Sequence, residues 1–193
     1  MEIQYKLFKN FYRNAARRMC KELKPYISSN AKVLDLGCGS GIVTNQIKDD
    51  LKADITGIDI IDLRVEDIPF MLYDGKDLSE IKDNAFDTVL ISYVLHHTEN
   101  PKEILKQVKR IAKNNIIIYE DLYERSLGKI YCNIHGKVFN EWVQKNDIKA
   151  KFFSEKEWEE NFKELGLKVI FRKEKPYPLN PVRRMLFVLK KGV

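Results

Sequence analysis

An α/β fold with a doubly wound, mostly parallel seven-stranded sheet is what this sequence predicts, and two observations carry the prediction. Short runs of Val, Ile and Leu without period-two polarity alternate with segments of helical periodicity, as strands covered on both faces require. In "VLDLGCGSG", residues 33–41, three of the chain's nine glycines fall within five residues, directly after such a run. Ligands of doubly wound sheets bind outside the carboxyl ends of the strands, where glycine lets the backbone come close to them.

The elements follow in order. Tyr5, Phe8, Phe11, Tyr12, Ala15, Ala16, Met19 and Leu23 recur at three- and four-residue intervals, which predicts an amphipathic helix over 5–23, ended by Pro25. Its four aromatics are expected mostly to pack on the main body, with Tyr5 and Tyr12 as candidates to line a substrate pocket. Strands are expected at 32–36, 54–59, 68–73, 86–92 and 115–120, with helices at 42–51 and 101–112, the latter having Pro101 in its first turn. Leu127, Ile130, Tyr131, Ile134, Val138 and Trp142 give residues 124–144 a helical spacing. This insertion is longer than a crossover needs, and it reads as a cap over the active site. Ser154 and Glu157 form a capping box that opens a helix stopped by Gly166. Strands 168–172 and 184–189 close the sheet, joined by a loop with Pro178 and Pro181.

Composition narrows the class. A chain of 193 residues, 44% hydrophobic, supports one well-packed core. Cys20, Cys38 and Cys132 are far apart and lack zinc spacing, so no metal site is expected and a reducing cytoplasm fits best. No apolar run has signal-peptide or membrane-spanning length. Residues 1–30 hold seven Lys/Arg against two Glu, and residues 168–193 hold eight against one. Two basic ends flank an acidic middle. They either attract an anionic substrate or RNA, or are solvated faces without a shared partner.

The glycine loop admits two familiar nucleotide chemistries at first sight. A dinucleotide fingerprint needs a third glycine where Ile42 stands, which counts against a nicotinamide-dependent oxidoreductase. A phosphate-binding loop needs a lysine that is absent. The order Asp35-Leu36-Gly37-Cys38-Gly39-Ser40-Gly41 instead resembles motif I of the class I S-adenosylmethionine-dependent methyltransferases. "GIDI", "YDG" and "FDTVLISYVLHHTENP" resemble later motifs of their type 11 family, in register over about residues 31–120.

The resemblance implies a Rossmann-like fold with an N-terminal helical cap and a helical insertion after strand five. It implies one methyltransferase domain over 1–193: a cap at 1–30, a cofactor-binding half at 31–121 and a substrate-side half at 122–193. S-Adenosylmethionine is the implied cofactor, leaving as S-adenosylhomocysteine. Gly37, Cys38, Gly39 and Gly41 would form its backbone wall, with Asp35 near its ammonium group. Asp59, followed by Ile60, would accept the ribose hydroxyls, Asp74 and Gly75 would contact adenine, and Ser92 and Tyr93 would pass along the methionyl part. The interval from Asp59 to Pro69 is too short for the usual second helix, which could bring Arg64 and Glu66 near the adenosine.

The acceptor side is less marked. Only one of His96 and His97 can face a pocket, and His97 is the candidate there, as base or substrate ligand. Glu120 is a second catalytic candidate and Asp121 a substrate contact, although both could equally cap the helix that follows. His135 and Cys132 read as structural or surface residues. The leading reading is a methyltransferase acting on a small molecule, without membrane attachment. The alternative is a non-catalytic S-adenosylmethionine-binding or RNA-associated module that uses the basic termini.

Overall fold

A computed structural model of the protein describes residues 8–123, 130, 134, 150–175 and 182–192. Its strands are β1 (Lys32–Leu36), β2 (Asp54–Asp59), β3 (Phe70–Leu72), β4 (Phe86–Ser92), β5 (Ala112–Leu122), β6 (Leu167–Lys175) and β7 (Arg183–Lys191). They form one seven-stranded sheet in the order β3-β2-β1-β4-β5-β7-β6. The helices are α1 (Lys9–Leu23), α2 (Ile42–Leu51), α3 (Pro101–Ile111) and α4 (Glu155–Glu164), with a 3-10 turn at Leu95–His97. The chain divides into two compact units, Met1–Leu90 with Ile111–Lys113, and Ile91–Arg110 with Asn114–Val193.

In the first unit, β1 pairs in parallel with β2, Leu36 opposite Ile58, so Asp59 stands one residue past the end of β1. That register sets the acid beside the glycine loop. Val33, Leu34 and Leu36 of β1 and Ile55 and Ile58 of β2 are buried, each side chain contributing roughly 1.5–3 kcal/mol. Helix α1 packs on α2, burying Ala16, Cys20 and Leu23. The expectation that the aromatics of α1 mostly pack inward is corrected for two of them, since Phe8 is 56% and Phe11 70% exposed. Phe11 lies five positions before Ala16, about 140° round the helix from the buried stripe.

Several boundaries differ from expectation, and the two closing strands run longer, at Leu167–Lys175 and Arg183–Lys191. The third strand covers Phe70–Leu72 rather than 68–73. Pro69 has no N–H to give the ladder, although its carbonyl accepts from Gly57, and Ile68 is buried against Gly41 instead. The fifth strand begins at Ala112 directly after α3 and runs to Leu122. No helix lies between Asp59 and Phe70, as the short interval implied.

Gly57 of β2 meets the glycine loop closely. A Cβ built there would lie 2.7 Å from Cys38 Sγ and 3.0 Å from Ile68 Cδ1. Gly57→Ala is therefore expected to displace the loop and cost about 1–2 kcal/mol of stability, read from denaturant midpoints. An unchanged midpoint would mean that Cys38 can turn away freely.

In the second unit, β7 pairs antiparallel with both β5 and β6, with an irregularity between Val169 and Phe171. Helix α4 packs on β6. Its Trp158 and Phe162 are buried and stacked at 5.6 Å, and Phe162 meets Phe187 of β7 edge-on at 5.4 Å. The expected capping box is present: Glu157 N–H donates to Ser154 Oγ, and Ser154 N–H donates to Glu157 Oε2. Of the helix expected over 124–144, only Ile130 and Ile134 are among the described residues, both helical and exposed. Tyr5, Cys132, His135 and the loop at 176–181 lie outside the described residues.

Candidate functional site

The glycine loop is fixed by backbone hydrogen bonds to β2 and within its own turn. Gly37 and Cys38 N–H both donate to Ile58 O, at 2.7 and 3.2 Å, and Gly41 N–H donates to Cys38 O at 3.0 Å. Gly39 and Gly41 have φ of +53° and +73°, the left-handed region that favours glycine. Gly41 is the residue before α2, and a Cβ there would press on Ile68. At Gly39 a Cβ would meet nothing within 4 Å. That open space beside bare backbone is what a ligand needs.

Asp59 is fixed next to that opening. Its Oδ2 accepts from Gly39 N–H at 2.8 Å and its Oδ1 from Ile60 N–H at 2.7 Å. Burial pushes its carboxyl above the usual range, opposed by these backbone N–H groups. Ile60 in turn reaches Gly75: a Cβ on Gly75, whose φ is +83°, would lie 3.0 Å from Ile60 Cγ2. The structure thus joins Gly39, Asp59, Ile60 and Gly75 in one run of contacts. Asp74 Oδ1 accepts from the N–H groups of Lys76 and Asp77, both at 2.8 Å, which lowers its carboxyl pKa. A cavity of about 290 Å³ lies beside it, lined by Ile58, Tyr73, Leu78 and Ile81 among others.

Asp35 lies beneath the loop, 2% exposed, and its Oδ2 accepts from Thr44 Oγ1 at 2.6 Å. Burial pushes its carboxyl up to about 6, against the pull of Thr44, and nearby Asp59 raises it further. Cys38 is buried with its Sγ turned toward Gly57. Burial raises its thiol pKa, leaving it a poor nucleophile.

The segment replacing the second helix is tied down by charge. Val65 N–H donates to Ser40 O at 2.9 Å. Arg64 is held by Asp62, donates to Ile68 O and lies 4.4 Å over the Phe70 ring. Glu66 pairs with Lys9 and Arg13 of α1, at 3.2 and 3.1 Å. Tyr12, on the same helix, is half-buried with its ring edge-on to Phe11 at 5.7 Å.

In the second unit, Ser92 Oγ is buried with no hydrogen-bond partner among the described residues. Tyr93, next to it, has φ of +58°, a conformation that costs a residue other than glycine about 1–2 kcal/mol. Its N–H donates to Tyr119 O at 2.8 Å. His96 and His97 are both buried, their rings 4.1 Å apart. It is His96 whose Nδ1 donates to Glu120 Oε2, at 2.5 Å. Asp121 accepts from Arg184 Nε at 3.0 Å, and that guanidinium lies 5.2 Å over the Tyr93 ring. Among the described residues, no group of three His, Cys, Asp or Glu side chains is disposed to hold a metal ion, and no helix is long and apolar enough to cross a membrane.

Sequence reasoning did not single out Thr44, Phe152 or Arg184. Phe152 stacks on His96 at 4.5 Å. A hydroxyl in the first turn after a glycine loop was the one signal available for Thr44; Phe152 and Arg184 reach their partners only through the fold.

A family model described as "Methyltransferase domain" matches residues 8–171. The chain belongs to that family. An uncharacterized protein of Methanocaldococcus jannaschii is 32% identical over 149 residues, covering 71% of this chain, and the chain spans 64% of that relative's length. Among solved structures, a putative methyltransferase in complex with the Trm112 methyltransferase activator, from Haloferax volcanii, aligns with a TM-score of 0.71 at 19% identity, covering 97% of this chain and 93% of that one. A phosphoethanolamine N-methyltransferase of Haemonchus contortus, bound to phosphomonomethylethanolamine and S-adenosylhomocysteine, gives 0.72 at 13% identity, covering 93% and 53%. At these identities the two structures show the fold alone.

Proposed function

We propose that this chain is an S-adenosylmethionine-dependent methyltransferase whose acceptor is a small molecule. One observation carries the reading: the open space at Gly39, with the Asp59 carboxylate fixed beside it by the Gly39 and Ile60 N–H groups. A glycine wall next to a strand-end carboxylate fits an adenosine without a pyrophosphate. The buried Ser92 hydroxyl, with no partner among the described residues, is a second group available to a ligand.

S-Adenosylmethionine, when bound, supplies a methyl group already activated on a sulfonium. What remains for the chain is to bind, orient and exclude water. Asp59 would hold the ribose hydroxyls, Ile60 the adenine face, Asp74 and Gly75 the adenine edge, and Asp35 the ammonium group. Ser92 and Tyr93 would hold the methionyl part. Tyr12, His97 and Asp121 are the acceptor-side candidates, and a base is needed only for an acceptor that arrives protonated. A small molecule is favoured because a protein of the same fold, the Haemonchus contortus enzyme, is bound to one.

Titration calorimetry with S-adenosylhomocysteine, followed by transfer of a labelled methyl group from S-adenosylmethionine to panels of thiols, amines and hydroxyl compounds, tests the reading. Saturable binding and label in a small-molecule fraction are expected. Failure to bind S-adenosylhomocysteine would overturn it.

A further inference from the structure

Glu120 is completely buried, and its carboxylate is spent on the turn that follows β4. Oε1 accepts from Leu95 N–H at 2.9 Å and Oε2 from His96 Nδ1 at 2.5 Å. Leu95 opens the 3-10 turn, where N–H groups have no partner within the turn itself, so Glu120 caps that turn from a remote strand. Further bonds hold the same segment. His96 O accepts from Lys151 N–H at 2.8 Å, and the His96 ring lies 4.1 Å from that of His97 and 4.5 Å from that of Phe152. Lys151 Nζ donates to Glu99 O at 2.6 Å, and Thr98 Oγ1 to Leu95 O at 2.7 Å.

Two adjacent residues of β5 therefore grip alternate residues of the turn: Tyr119 O takes Tyr93 N–H, and Glu120 takes Leu95 N–H. Between the grips lies the left-handed Tyr93, beside the buried, unpartnered Ser92 hydroxyl. An aromatic residue stays in that conformation only where its surroundings over-determine it, and such strain gathers at ligand sites.

We infer that Glu120 and His96 are a positioning pair, not proton-transfer groups: together they hold Tyr93 left-handed and so present the Ser92 hydroxyl to the ligand. A carboxylate with both oxygens engaged and no exposure has no route to a substrate proton. The role toward the methyl donor rests on the function proposed above; the hold on Tyr93 does not.

Amide hydrogen exchange and S-adenosylhomocysteine affinity, measured on the full chain, test this. Glu120→Gln keeps one acceptor but sets an amide against the second donor. It is expected to raise exchange at Leu95 and also at Tyr93, whose N–H donates to Tyr119 O, by about tenfold or more, leaving Ile117 and Val188 protected. Affinity should fall about tenfold, and in a Tyr93→Gly background the same substitution should cost less than about twofold, because glycine needs no clamp. His96→Asn, whose amide nitrogen can replace Nδ1, should retain protection at Tyr93 that His96→Ala loses, which serves if Glu120→Gln does not fold. Unchanged exchange at Tyr93, or an equal affinity loss in both backgrounds, would overturn the inference. If exchange responds as expected while no form binds S-adenosylhomocysteine, it is the methyltransferase function that fails.

Discussion

Asp59→Ala is expected to lower the affinity for S-adenosylhomocysteine by about 100-fold, near 2.7 kcal/mol, while lowering stability far less. The two effects separate because of what holds the carboxylate. It accepts from the N–H groups of Gly39 and Ile60, and burial works against its charged form. Alanine leaves two N–H groups without their acceptor but also removes a charge that the fold disfavours, so these terms partly cancel. In the proposed binding mode nothing cancels for the ligand, since two ribose hydroxyls would lose a charged acceptor at once. Asp59→Asn retains one carbonyl acceptor and should lose only about tenfold. Calorimetry paired with thermal melting distinguishes the cases. Equal affinity in Asp59→Ala and the unmodified protein would remove Asp59 from the ribose role.

Why was so much of this half legible from the chain? The strands are continuous apolar runs, as burial on both faces demands, and the turn after the first of them is marked by glycines with positive φ. Asp59 was legible because parallel register makes position along a strand predictive: the residue just past Ile58, opposite the end of β1, must reach the glycine loop. The pairing of Glu120 with His96 was not legible. It spans 24 positions, and either histidine of "LHH" could have been the partner until the 3-10 turn set their directions. The ion pair of Asp121 with Arg184 was not legible either, because it depends on the antiparallel register of β5 and β7 that sets the two opposite each other. The third strand was read too long because Ile68 is as apolar as any strand residue; it is buried under Gly41 rather than in the ladder.

Asp35→Asn is expected to move stability and binding in opposite directions. The buried carboxyl of Asp35 has its pKa pushed up to about 6, from an ordinary 3.8. A raised carboxyl pKa means that the folded protein holds the proton more tightly than the unfolded chain does. The resulting stabilisation is complete below about pH 4 and is lost as pH rises through about 6. At pH 7 the ionised carboxylate therefore costs the ligand-free fold about 3 kcal/mol at most, because each tenfold change in proton affinity is worth about 1.4 kcal/mol. Asparagine is neutral and can still accept from Thr44 Oγ1. Asp35→Asn should accordingly melt higher than the unmodified protein at pH 7, match it near pH 4, and show a flatter stability profile between those values. If the carboxylate is kept for the ammonium group of the methyl donor, the same substitution should weaken S-adenosylhomocysteine binding at pH 7 by about tenfold or more, and binding by the unmodified protein should weaken as pH falls below 6. Asp59 contributes to the raised pKa through its own charge, so in an Asp59→Ala background the stability transition should move to lower pH. A variant that is less stable at pH 7 and binds as well as before would show instead that Asp35 serves only to anchor Thr44.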